Sequence, residues 1–272
     1  MIKIFDSKKP GPNIVIMAGV HGDELCGLNA FDAILPTFKP VRGRVTFIIG
    51  NPQAVDVRRR EFEGNLNRMF RPDSEISEVE RNIYEYKRSR ELMPILTEAD
   101  ALLDIHSSTT GQTIPFAICE KQSFSAVAQL PIEIVVSGID VLHSTGSDAF
   151  VNQSGGLGIC IECGNHNDPN ATNIAIEGIV RFLSYFNVTT EKSNNFINKQ
   201  RFVNARWIYK NKKNFTLSKD FKEFENVSKG SVIGLDGEKE IKAPYDGVIL
   251  FPHNREESNT EAFLFGKENN LL

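Results

Sequence analysis

Along the first 190 positions, apolar residues gather into short unbroken runs, separated by stretches in which they recur every three or four residues. The runs fall at Asn13 to Val20, Val45 to Gly50, Ala101 to His106, Phe116 to Cys119, Ile132 to Ser137 and Leu157 to Cys163. Successive side chains on a strand point to opposite faces, so an unbroken apolar run predicts a strand covered on both sides. The stretches between them predict helices. Glu24 to Leu35 is one, and Thr172 to Phe186, with Ile176, Ile179, Val180 and Leu183 in register, is another. Between these, Ser77-x-x-Glu80 has the spacing of a capping box at the start of a longer helix. That helix would carry Ile76, Val79, Ile83 and Tyr86 on one face and kink or end at Pro94. Alternating strands and helices predict an α/β fold, a mostly parallel sheet with helices on both faces.

The pattern changes near residues 188 to 200, VTTEKSNNFINKQ, which are polar and aperiodic. Beyond them, short β-like runs are punctuated by Lys229-Gly230, Asp236-Gly237 and Asp246-Gly247. We therefore expect a catalytic domain over residues 1–190 and a small all-β domain over residues 200–272 that caps the active site.

Composition narrows the partners. With 40% hydrophobic residues, 24% charged residues and a formal net charge of -4, the chain reads as an ordinary globular protein. Its dense basic run, Arg58-Arg59-Arg60, is short and followed by Glu61 and Glu63, which argues against a nucleic-acid partner. No apolar stretch approaches the roughly 20 residues of a membrane span, and the N-terminal residues lack a signal-peptide core, so we expect a cytoplasmic protein with no membrane partner. The oligomeric state is left open. Four cysteines are too few for a disulfide framework. Cys160-Ile-Glu-Cys163 lies on a predicted strand, where residues three apart face opposite ways, so we read the pair as small strand residues.

The chemistry gathers where strands end. His21 and Glu24 follow the first long run within GVHGDE, and His106 ends the run Ala101-Leu-Leu-Asp-Ile-His106. In open α/β sheets ligands bind at the carboxyl ends of strands, and two histidines with one glutamate form the His2Glu set of catalytic zinc sites. A third strand, Ile159-Cys-Ile-Glu162, is interrupted by a carboxylate. Buried and unpaired, it would cost several kcal/mol, so it requires a partner or a task.

At these residues the chain resembles the aspartoacylase and succinylglutamate desuccinylase family, a branch of the zinc carboxypeptidase-like fold. The matching segments are GVHGDE (19–24), NPQAV (51–55), NLNRMF (65–70), DIHSS (104–108) and IECGNHNDP (161–169), with APYDGVILFPHN (243–254) in the tail. The resemblance implies one Zn2+ per chain held by His21, Glu24 and His106. It implies Glu162 as the general base, Arg60 polarising the scissile carbonyl, and Asn67 with Arg68 gripping a substrate carboxylate. The expected activity is hydrolysis of an amide next to a free carboxylate in a small molecule, deacylation of an N-acyl amino acid. A carboxypeptidase or amidase acting on short peptides, and a catalytically silent metal-binding protein, are the alternatives. The aspartate-specific members carry a further arginine shortly before the base, whereas FVNQSGGLGICIE, ending at Glu162, has none; neutral or polar amino acids are therefore expected over aspartate. No role is assigned to His143, His166 or His253.

Overall fold

A computed structural model describes residues 1–108, 114–190 and 199–269. In the first 190 residues the elements are β1 (Ile2–Asp6), β2 (Asn13–Ala18), α1 (Cys26–Ile34), β3 (Arg44–Ile49), α2 (Pro52–Val57), α3 (Tyr84–Thr97) and β4 (Ala101–Ser108). They continue with β5 (Phe116–Cys119), α4 (Phe124–Val127), β6 (Ile134–Ser137), α5 (Ile139–Leu142), α6 (Ser147–Gln153), β7 (Leu157–Asn165) and α7 (Ala171–Tyr185). The tail contributes β8 (Arg201–Lys210), β9 (Phe215–Leu217), β10 (Asn226–Val227), β11 (Val232–Asp236), β12 (Lys239–Lys242), β13 (Gly247–Leu250) and β14 (Glu261–Asn269).

The strands make one large mixed sheet in the order β1-β3-β2-β4-β7-β5-β6-β8-β14-β13-β10, and a small one in the order β12-β11-β9. Strands β3, β2, β4 and β7 run parallel. Strand β5 turns antiparallel against β7, and the tail's β8, β14, β13 and β10 are mutually antiparallel. Covered faces explain the unbroken apolar runs. Ile14, Ile16, Leu103 and Ile105 enter the larger core, while Val15, Met17 and Leu102 alternate into a second core on the opposite face with Leu92 and Leu96 of α3. A third core, with Phe215, Ile233, Phe263 and Phe265, lies in the tail.

One sequence expectation is corrected and a second is narrowed. The Ser77–Glu80 capping box forms, with Ser77 N donating to Glu80 Oε2 at 2.8 Å and Glu80 N donating to Ser77 Oγ at 3.3 Å. It closes only a single 3-10 turn, Glu80–Asn82, because Ile83 is extended (φ -77°, ψ 159°) and α3 starts at Tyr84. Val79, expected on an apolar face, is 78% exposed. Pro94 lies inside α3 and does not end it: the helix runs to Thr97, giving up one backbone bond. Strand β1 was not anticipated. It is an edge strand whose Ile2 and Ile4 face solvent, so its sequence lacks the apolar run that marks its neighbours.

Candidate active site

Strand β2 ends at Ala18 and the chain turns through Gly19 (φ +65°) toward α1. Gly22 has no alternative: a Cβ there would lie 2.0 Å from the Ala54 carbonyl carbon in α2. Its amide donates to Arg59 O at 3.0 Å, binding the loop that follows α2 to the loop that carries His21. The glycines bracketing His21 thus let two backbones approach closely enough to share one cavity.

His21, Glu24 and His106 converge, with one ligand atom from each within 4.8 Å of the others, and all three are buried. His21 Nδ1 lies 2.6 Å from Glu24 Oε1, and His106 Nδ1 lies 2.9 Å from Glu24 Oε2. Their Nε2 atoms lie close to other oxygens, Asn65 Oδ1 at 3.2 Å and Asp104 Oδ2 at 3.1 Å. An imidazole that donates from Nε2 presents a lone pair at Nδ1. Two lone pairs facing two carboxylate oxygens repel unless a cation or proton sits between them, so the donor set fits a divalent metal of the N/O type, such as zinc. The charge balance points the same way. Burial opposes the Glu24 carboxylate, yet His21 and His106 hold its pKa far below the usual range. Burial disfavours the His106 cation too, but Asp104 and Glu24 overcome it and raise its pKa. A second grouping, Asp23, Glu24 and His166, shares Glu24 but is only partly buried.

Glu162 stands opposite His106 in the β4–β7 register. Its Oε2 is buried without a hydrogen bond among the described residues, and burial together with the Glu24 charge pushes its pKa up to about 8. Cys160 lines the same cavity, whereas Cys163 faces the core behind, as residues three apart on a strand must.

The opposite rim comes from the segment after α2. Arg58 caps α2 in the left-handed region (φ 50°), and Arg60 reaches back to 3.6 Å from Glu24 Oε1. Asn65 caps the 3-10 turn Leu66–Arg68. Asn67 Oδ1 accepts from Ser147 N at 3.2 Å, which leaves its NH2 for a ligand. Arg68 Nη2 lies 3.4 Å from Glu261 Oε2, and His143 Nε2 lies 3.0 Å from Glu261 Oε1. Burial lowers the Arg68 pKa against the pull of Glu261.

All seven residues singled out from the sequence line this cavity of about 400 Å³. The sequence reading expected the tail to cap the site, but of the tail residues lining the cavity it named His253 and not Ile208, Phe251, Arg255, Glu261 or Phe263. It also missed Asp104, although that carboxylate interrupts the β4 run just as Glu162 interrupts β7. His143 and His253 line the cavity. His166 lies behind it, its Nδ1 2.8 Å from Ser107 Oγ.

Residues 10–186 match the succinylglutamate desuccinylase/aspartoacylase catalytic domain model. The chain belongs to this family. Among its relatives, a succinylglutamate desuccinylase from Pseudoalteromonas atlantica is 25% identical over 274 residues, covering 88% of this chain and 77% of that one. One from Vibrio cholerae is 44% identical, but over 62 residues only, 21% of this chain and 18% of that one. The fold agrees across the family: a V. cholerae succinylglutamate desuccinylase structure superposes with TM-score 0.79 at 22% identity, covering 97% of this chain and 84% of the other. The product-bound ectoine utilization protein EutE (DoeB) from Ruegeria pomeroyi gives 0.74 at 19% identity, covering 98% and 88%. Among the described residues, no helix is long and apolar enough to cross a membrane.

Proposed function

We propose that this family member is a zinc-dependent hydrolase that cleaves the amide bond of a small N-acyl amino acid next to its free carboxylate. The observation that carries this reading is the pair of His Nδ1 atoms on the two Glu24 oxygens, with Glu162, whose buried Oε2 has no hydrogen bond among the described residues, beside them in register. Membership in a family of N-acyl amino acid hydrolases agrees with it.

Zinc, held by His21, Glu24 and His106, would supply a Lewis acid and lower the pKa of a bound water to roughly 7. Glu162, beside that site, would take a proton from the attacking water at its carboxylate and return it to the leaving nitrogen. A group with a pKa raised toward neutrality can serve in both directions. The Arg60 guanidinium faces the site and offsets charge building on the scissile oxygen. Arg68 and the NH2 of Asn67 hold the substrate carboxylate, the planar fork matching two oxygens. The cavity of about 400 Å³ suits a small-molecule substrate.

Glu162→Gln tests the assignment. Turnover of N-acyl amino acids should fall by at least ~100-fold while zinc content stays near one per chain. Near-normal turnover would remove Glu162 from the mechanism, and full zinc occupancy in His106→Ala would remove His106 from the metal set.

A further inference from the structure

A second set of metal-ligand side chains meets at Glu24. Asp23 precedes it in the turn that Glu24 N closes on His21 O at 3.4 Å, so two carboxylates leave adjacent positions of one loop. His166 comes from the end of β7. Between His106 and Ser108 the register of β4 against β7 shifts, two residues of β4 standing opposite three of β7. Such a bulge re-aims the chain beyond it. His166 N then donates to Ser108 O at 2.9 Å, and its ring nitrogen Nδ1 lies 2.8 Å from Ser107 Oγ. One ligand atom from each of Asp23, Glu24 and His166 lies within 4.8 Å of the others. Among the described residues, His166 Nε2 and Asp23 Oδ1 are buried without a hydrogen bond, and His166 Nε2 stands 3.9 Å from Asp23 Oδ2. That gap is too long for a hydrogen bond, yet two metal–ligand bonds of roughly 2.0–2.2 Å span it. With Nδ1–H donating to Ser107 Oγ, the Nε2 lone pair faces Asp23, which is how a polar partner orients a metal-binding imidazole.

We infer that Asp23, Glu24 and His166 form a second divalent-cation site, with Glu24 shared between it and the zinc set. One imidazole and two carboxylates, with water completing the shell, suit a borderline transition ion such as Zn2+, Co2+ or Mn2+ better than Mg2+, which prefers oxygen ligands alone. The two carboxylate charges balance a dication. Paired ions in two-metal sites lie about 3.5–4 Å apart, and at that distance they repel. Water competes as well, since 30% of the Asp23 side chain is exposed. The second ion therefore binds more weakly than the first, so purified protein keeps its zinc and takes up another ion only when metal is in excess.

The site goes beyond the proposed function, and its test does not depend on turnover. Zinc-loaded protein is equilibrated with increasing cobalt(II) chloride, both metals are counted by mass spectrometry, and the visible d–d spectrum reports on the ligands of the cobalt. Wild type should keep its zinc and bind cobalt in addition. Asp23→Asn keeps the shape of the side chain and loses its charge, and His166→Gln loses the imidazole. Each should weaken cobalt binding by on the order of tenfold or more, because even the loss of an outer partner costs about 10- to 100-fold, and zinc content should be unchanged. An Asp23–His166 contact that only holds the loop would alter stability and leave cobalt binding alone. Cobalt that enters only as zinc leaves, no additional cobalt in wild type, or cobalt retained at full strength in either variant would overturn the site. The two metal assignments also fail separately. A protein that holds a single ion, lost in His166→Gln and kept in His106→Ala, would uphold this site and overturn the zinc set, and the reverse pattern would overturn this one.

Discussion

Asp104 stands two positions before His106 on β4, and its Oδ2 meets both His106 Nε2 and the hydroxyl of Ser147, which donates to it. Such a carboxylate fixes which imidazole nitrogen carries the proton and so keeps Nδ1 aimed at the metal. Asp104→Asn preserves size and loses charge. It should weaken zinc binding by about 10- to 100-fold in a chelator competition while leaving the fold intact. Unchanged affinity would mean that Asp104 only supports Ser147. At this scale the sequence is readable where chemistry breaks a pattern: His21, His106 and Glu162 each stand out at the end of an apolar run. Asp104 stands out equally, but its role depends on an imidazole whose orientation no sequence displays. Arg255 is silent in the sequence, because only the pairing of β8 with β14 brings the loop before β14 to the cavity.

The loop from Arg60 to Arg68 owes its shape to a helix that the sequence reading started too early. Glu85, in the first turn of α3, is fully buried and accepts from Phe62 N at 2.9 Å, Glu63 N at 3.2 Å and Gly64 N at 3.1 Å. It also accepts from Asn51 Nδ2 at 3.0 Å, tying the start of α2 to the same carboxylate. A residue so buried at a helix start cannot be recognised from periodicity, which treats a charge as a sign of exposure. Removing the acceptor leaves several donors unmet, each worth about 1–3 kcal/mol. In Glu85→Ala we expect lower stability in urea, retained zinc and a kcat/KM reduced through misplacement of Arg60 and Arg68. A normal kcat/KM in the folded variant would limit Glu85 to scaffolding.

The strands of the tail continue the main sheet, β6 pairing with β8 in parallel, and Val203, Ala205, Phe224, Val248 and Leu264 pack in the same core as Ile16 and Ile161. A chain ended at residue 190 would expose the edge of β6 and part of that core, and should be insoluble; a soluble, monomeric and active fragment would contradict this. The junction also carries a titration. Phe251 lines the cavity with φ +51°, an unusual conformation for a bulky residue, and its amide donates to Glu223 Oε1 at 2.8 Å. Burial pushes Glu223 up to about 7, from the 4.5 of a carboxyl in water. The native state then binds more protons than the unfolded chain between those values. The stabilisation is complete below about pH 4.5 and is lost as pH rises through about 7. Glu223→Gln should therefore resemble wild type in urea unfolding at pH 5 and exceed it at pH 8, by on the order of 1–3 kcal/mol. An equal difference at both pH values would refute the titration.

Parallel strands β2 and β4 are adjacent, and the residues assigned to zinc all lie at or before residue 106, whereas the cavity wall containing Arg255 and Glu261 is translated well after them. Synthesis on the ribosome therefore exposes the ligand set before the wall that restricts access to it, since chains grow at only about 5–20 residues per second. Metal taken up at that moment meets an open site. Metal offered to the finished protein must pass the tail wall, so loading during expression should be faster than reconstitution of the stripped protein.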